Sequence, residues 1–464
     1  MYGMLRGRGG DTWASLIEGS AAARPPWAVW LTTFSHPGRI SVQRRRKREE
    51  KPIMIDCVIS NVSIFDGVAA LSPEKNAVWI SNGRITKVAS SAEITSSDKV
   101  INGHGATLMP GLIDAHFHCN SPAVDIHVAD KIVPSHMAQY ARMYLEDMLT
   151  RGFTTLRDAG GADMGLVRAR NEGLIRAPRL YVSGKALSQS GGHGDFRGEV
   201  LLCGCESYSG SLTCVVDGPD AIRVNVRNLL RTGAHQVKLF VSGGILSPMD
   251  PIWMDQYTDD EITAAVEEAA RWRTYVMAHS LTDNASRRCA ALGVRSIEHG
   301  LGITPETASF IAERETFLVP TLGTPHWLLE GVVPVPPASI EKLKTVGNAG
   351  AIAVENCARA GVRIGFGTDL LGTLHGREAY ELVLRSQVSG SLETLRSATS
   401  VNADLMNLGG QVGTIASGAY ADLLLVDGDP LTDISILTTP QKTIKLIMLE
   451  GRVITNRLET MLVT

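Results

Sequence analysis

Eight short apolar runs alternate with helix-like segments between residues 111 and 370, and this alternation restricts the fold more than any other feature. The runs are GLIDAHFH (111–118), FTTLRDAG (153–160), RLYVSGKAL (179–187), QVKLFVSGG (236–244), TYVMAHS (274–280), RSIEHG (295–300), TFLVPTL (316–322) and RIGFGTDL (363–370). The clearest intervening helix, TDDEITAAVEEAARWR (258–273), opens with Thr258 and Glu261 as a capping box. Its residues Ile262, Ala265, Val266 and Ala269 recur at helical spacing. Strands alternating with helices in this number predict a (β/α)8 TIM barrel over residues 110–410. A doubly wound sheet is the runner-up, but no Gly-rich phosphate turn opens it.

The flanks read differently. Residues 53–108 hold alternating strands, with Asn82-Gly83 marking a tight hairpin. ADLLLVDGDP (421–430) and IKLIMLEGRVI (444–454) read as strands too, with Glu450-Gly451 at a turn. Segments 53–109 and 411–464 are therefore expected to pair into one small β-sandwich domain built from both ends of the chain. Residues 1–52 lack periodicity and end near RRRKREEK (44–51), which predicts a disordered tail. The run WAVWL (27–31) is too short to span a membrane, and Met54 is a plausible true start or the start of a mature chain. A net charge of −3 gives no general pull toward nucleic acid. Seven scattered cysteines argue against a disulfide framework and for a reducing, cytoplasmic setting. Cys203, Cys205 and Cys214 lack a partner at zinc-ligand spacing and read as ordinary loop thiols.

Barrel chemistry sits at the C-terminal ends of strands. The first run ends in His116 and His118, whose alternate spacing puts both imidazoles on one face. The fifth ends at His279, the sixth at His299 and the eighth at Asp369. Singly, each has a plain structural reading: a strand-end histidine is often just hydrogen-bonded, and an aspartate after Gly-Thr often caps a turn. Jointly, four of 12 histidines at strand ends with an aspartate make coincidence the weaker account. Lys238 lies inside the fourth apolar run, where an ammonium is costly unless neutralised or paired. A neutral lysine amine can add carbon dioxide to give an anionic carbamate; the plain alternative is a tip reaching a carboxylate at the rim.

These features resemble the amidohydrolase superfamily of metal-dependent hydrolases. The resemblance rests on PGLIDAHFH, the strand-four lysine, the histidines of strands five and six, GFGTD and the closing GAYADLLLVDGDP. It implies two divalent cations (Zn, Co, Mn or Fe). His116, His118 and Asp369 would hold one, His279 and His299 the other, and N6-carboxylated Lys238 would bridge them. The stretch ALSQSGGHGD (186–195) is similar to the branch with Xaa-Pro dipeptidases, arginine carboxypeptidases and ochratoxinase-type amidases, near molinate and phenylurea hydrolases. The reaction implied is hydroxide attack on a C–N bond, with Asp369 as general base and then acid. His193 and Tyr257 are candidate substrate contacts, and Gly243-Gly244 lets backbone approach the site. Low charge in LLCGCESYSGSLTCVV (201–216) favours a small, largely apolar amide, carbamate or urea. The alternative is dipeptidase- or carboxypeptidase-like hydrolysis of N-acyl amino acids or Xaa-Pro dipeptides, with Arg197, His193, His375 or Arg377 holding the carboxylate. A mononuclear deaminase would normally lack the lysine, a non-catalytic binding homologue would have lost ligands, and the ligands alone leave an isomerase or decarboxylase on this scaffold open. The expected partner is a small-molecule substrate, without nucleic acid or membrane, and the expected assembly a homo-oligomer.

Overall fold

The computed structural model describes residues 56–129, 131–197, 208–209, 212–247 and 250–458. The described residues belong to one compact unit, Glu50–Thr464. The expected tail, residues 1–52, lies outside the described residues, as do Cys203 and Cys205. Cys214 is a free thiol.

In this unit, the two flanks of the chain build two sheets, one of which they share. Cys57–Ser60, Ala77–Ser81, Arg84–Ala89 and Val100–Asn102 form one four-stranded sheet. Its hairpin turns through Asn82 and Gly83, both at positive φ (50° and 76°), as a two-residue turn matched to the strand twist requires. A second, five-stranded sheet interleaves the termini: Thr107–Pro110 lies antiparallel to Leu423–Val426, which pairs onward with Ile444–Leu449. Ile59, Val78, Ile85, Leu108, Leu425 and Leu446 bury their side chains in a common core. Each such burial contributes about 1.5–3 kcal/mol.

The middle of the chain is parallel. Leu112–Phe117, Phe153–Asp158 and Arg179–Tyr181 make a three-stranded sheet. Ala186–Ser188, Val237–Phe240, Val276–Ser280, Ser296–His299 and Phe317–Val319 follow one another in the parallel part of a seven-stranded sheet. Backbone bonds tie the three-stranded sheet to the segment before Val237–Phe240 and to the eighth apolar run. His235 N–H donates to Val182 O at 2.7 Å, and Ala115 N–H to Phe366 O at 2.9 Å. Helices such as Pro134–Thr150, Pro219–Arg231, Asp259–Arg271 and Asp283–Ala291 separate the strands. The capping box at Thr258 and Glu261 forms, and Ile262, Ala265 and Ala269 are buried while Val266 is only partly so.

Two of the eight predicted strands differ in detail. The third is split at Gly184, whose φ of +68° breaks the extended run into Arg179–Tyr181 and Ala186–Ser188. The eighth forms only an isolated bridge, Leu318 to Ile364, with further bonds from Gly365 to Leu318 and from Ala115 to Phe366. Gly365 and Gly367 let this segment pass close to its neighbours: a Cβ at Gly365 would meet Asn402 at 2.5 Å, and one at Gly367 the His116 side chain at 2.6 Å. No helix among the described residues is long and apolar enough to cross a membrane.

Candidate active site

The parallel register places the chemistry. Phe240 lies beside His279, and Ser280 beside His299, so successive strand ends bring their side chains to one level. His116, His118, Lys238, His279, His299 and Asp369 all line one cavity, together with His193. Five imidazoles follow one another across it. Ring centroids are 5.4 Å apart for His118–His116, 4.9 Å for His116–His299, 4.7 Å for His299–His279 and 4.4 Å for His279–His193. His299 and Asp369 sit at φ 71° and 54°. Left-handed backbone at two non-glycine residues of one cluster is strain concentrated where side chains converge.

Charge is distributed unevenly in this cavity. Burial pushes the histidines His116 and His279 well below the ordinary imidazole range, and His299 down to about 4. For His118 burial acts in the same sense, but the Asp369 carboxylate 3.2 Å away outweighs it and raises the imidazole. Burial opposes ionisation of Asp369, yet the surrounding imidazoles hold it well below the usual carboxylate range. Lys238 is buried and pushed down to about 8, chiefly by burial. It makes no salt bridge among the described residues, and its ammonium lies 5.3 Å from the Phe240 ring centre. No carboxylate among the described residues lies within ion-pair distance of it, although the charges of Glu298 and Asp369 act on it from farther away.

The donor set fits divalent cations. His116, His299 and Asp369 present ligand atoms within 4.8 Å of one another. His116 Nδ1 faces Glu298 Oε2 at 2.6 Å, an acceptor, so Nδ1 carries the proton. Its unprotonated Nε2 then faces Asp369 Oδ1 at 3.5 Å, two acceptors that a cation between them would satisfy. The other histidines are tied by their far nitrogens: His118 Nδ1 to Gly160 O, His279 Nε2 to Gly243 O and His299 Nδ1 to Thr321 Oγ1. The close set contains His299 where the resemblance groups His118 with His116 and Asp369; His118 instead ion-pairs with the same carboxylate.

The predicted substrate contacts separate. His193 lines the cavity, with Nδ1 2.6 Å from Ser247 Oγ and 3.5 Å from Asp250 Oδ2. Its ring packs on Gly244, where a Cβ would fall 2.0 Å from the imidazole. Tyr257 instead packs into the core beside Leu187 and Ile262, and it lines neither cavity at the histidine row. Arg197 is spent on Asp195, His375 on Glu378, and Arg377 on the Thr373 carbonyl. A second opening shares His193, His279, His299 and Asp369 and is walled by Ile245, Leu246, Leu281, Leu301 and Leu328. Sequence reasoning missed Arg157 and Glu298, both fully buried beneath His116. The signal was present: each is a charged residue inside an apolar strand, as Lys238 is.

Comparison with known proteins agrees with this geometry. The amidohydrolase family pattern matches residues 107–454. Ochratoxinase of Aspergillus niger is 30% identical over 397 residues, covering 80% of this chain and 81% of that one. A prolidase crystal structure complexed with N-methylphosphonate-L-proline is 40% identical, with TM-score 0.83, covering 87% of this chain and all of that one. A Xaa-Pro dipeptidase with methionine bound in its active site is 27% identical, with TM-score 0.79, again over 87% of this chain and 100% of that one. The chain belongs to the amidohydrolase family and is a hydrolase of carbon–nitrogen bonds.

Proposed function

We propose that this enzyme hydrolyses the amide bond of a small, largely apolar substrate, using divalent metal held by His116, His118, Lys238 as its carbamate, His279, His299 and Asp369. The observation that carries this reading is the convergence of all six side chains on one cavity. In the same reading, residues 110–410 form a closed eight-stranded barrel, and segments 53–109 and 411–464 a second, β domain. The bonds from Ala115 to Phe366 and from His235 to Val182 support closure.

When bound, the metal supplies hydroxide near neutral pH and polarises the scissile carbonyl. The chain's own residues do the rest. Asp369, kept ionised by its imidazole neighbours, takes the proton of the attacking water on a carboxylate oxygen and hands it to the leaving nitrogen. Ile245, Leu246, Leu281, Leu301 and Leu328 exclude water and receive an apolar group of the substrate. His193, fixed through Nδ1 by Ser247 and Asp250, is left with Nε2 for a polar contact.

Two versions of the substrate differ by a free carboxylate. The 40%-identical prolidase holds a proline derivative, which favours an N-acyl amino acid or Xaa-Pro dipeptide with an apolar side chain. His193 is then the carboxylate contact. The second reading, a neutral amide, carbamate or urea, is favoured by the wall itself, where Lys238 is the one Lys or Arg among the described lining residues. Rates on an N-acyl amino acid and on its neutral amide decide between them. A strong preference for the free acid that His193→Asn abolishes supports the first. Equal rates on both compounds support the second, and no release of amine from either refutes both.

A further inference from the structure

We infer that Glu298 and Arg157 are positioning residues. They hold His116 as the Nδ1-protonated imidazole with Nε2 turned to the cluster, and thereby set the site's affinity for divalent metal. The inference rests on the metal-centre reading above.

The arrangement is a closed chain of charge under a single ligand. His116 Nδ1 donates to Glu298 Oε2 at 2.6 Å, and Arg157 Nη2 donates to Glu298 Oε1 at 2.9 Å. Ser296 Oγ donates to the same Oε1 at 2.5 Å. Arg157 uses its remaining edges on the backbone and on that serine: Nε donates to Ala115 O at 2.6 Å and Nη1 to Ser296 Oγ at 3.1 Å. Both charged side chains are 0% exposed. A carboxylate buried so deeply is costly without a fixed cation, and Arg157 is that cation. Arg157 also grips the carbonyl of Ala115, the residue before His116, so ring and backbone of the ligand are fixed by one guanidinium–carboxylate pair.

The contrast with the other imidazoles gives the pair its function. His118 and His279 lean on the carbonyls of Gly160 and Gly243, and His299 on the Thr321 hydroxyl. Among these four, His116 is the one whose far nitrogen has a carboxylate at hydrogen-bond distance; His299 Nδ1 stands 3.9 Å from Asp369 Oδ2 and spends its short contact on the hydroxyl. An imidazole donating to a carboxylate is locked in tautomer and orientation, and its other nitrogen becomes a stronger donor to metal. A mere strut between strands would tie Arg157 to Glu298 without spending the second carboxylate oxygen on a ligand.

The test measures Zn2+ affinity of metal-stripped protein against a chromophoric chelator, alongside the metal-free thermal midpoint. Glu298→Gln keeps an acceptor but strands Arg157, so it is paired with the double variant Glu298→Gln/Arg157→Met, which removes both charges. The expected result is Zn2+ affinity lower by about 10- to 100-fold in both, with the double variant's metal-free midpoint close to the parent's. Parent-like affinity in a folded variant overturns the proposal, whatever happens to the midpoint. Should neither variant fold, 15N NMR of histidine-labelled parent decides, with the His116 signals assigned by their loss in His116→Asn. A proton on Nδ1 supports the proposal, and one on Nε2 overturns it. If the parent itself binds no Zn2+, the metal-centre reading fails, and the tautomer still reports on the Glu298–His116 arrangement.

Discussion

Lys238 is an amine where a charge is expensive. Burial lowers it to about 8, so a usable fraction is neutral near physiological pH, the form that adds carbon dioxide. Lys238→Ala should leave the strand paired, lose at least one metal ion per chain and cut turnover by more than about 100-fold. Elemental analysis with a rate assay checks this; unchanged metal content and rate would sink the carbamate bridge. Partial recovery on adding a short-chain carboxylic acid is the expected signature of a vacated anion position. A second residue governs acid stability. Glu378 is buried and accepts from Arg151 at 2.8 Å and from the Gly376 N–H at 2.9 Å, with His375 3.2 Å away. Burial works against its ionisation, but His375 and Arg151 outweigh that and hold it below the usual range. A carboxyl with a depressed folded-state pKa stabilises above its unfolded pKa, about 4.3, and loses that contribution as pH falls through the folded value. Glu378→Gln should therefore cost about 1–3 kcal/mol at neutral pH and progressively less below pH about 4. A parallel pair of stability–pH curves would refute this assignment.

At the scale of elements, the mouth depends on a loop held from outside. Lys342, on the helix Pro337–Val346, donates to the carbonyls of Gly244, Ser247 and Asp250 at 2.8, 2.7 and 2.6 Å. That loop seats Ser247 and Asp250 against His193, so the lysine acts on the substrate contact at one remove. Lys342→Met should raise KM by about tenfold, with metal content unchanged and a smaller effect on kcat. A fall in kcat alone would point elsewhere. Period was legible in the sequence: strand ends, the capping box at Thr258 and the Asn82-Gly83 hairpin follow from local pattern, which neighbours rarely override when it is strong. The six converging side chains were legible for the same reason, each being fixed by its place at or in a strand. Tyr257 was not, because its fate depends on whether the ring turns to the mouth or to the core. It turns to the core, with its backbone N–H taken by Gln189 and its carbonyl by Arg288. The grip of Lys342 on a loop about ninety residues earlier carries no local signal at all.

For the whole molecule, segments from both flanks of the Glu50–Thr464 unit meet beside the strand Leu112–Phe117. Gly111 N–H bonds to Asp422 O at 2.9 Å, and Arg179 reaches Asp422 and Glu450 at 3.1 and 2.8 Å. Residues 1–52 carry no core-forming pattern, so a chain starting at Met54 should keep its rate and melting midpoint. Loss of soluble protein on that truncation would overturn the expectation. Ending the chain at Gly418 should have the opposite effect and yield insoluble protein, because Thr107–Pro110 loses its antiparallel partner Leu423–Val426. The same interleaving reaches back to synthesis. A ribosome adding about 5–20 residues per second needs roughly 15–60 s to pass from Thr107 to Val426. Throughout that interval the nascent strand has Ser63–Ile64 along one edge and nothing on the other. That edge of the sheet stays open until residue 426 has been made, so its pairing cannot precede the synthesis of almost all of the second half of the chain.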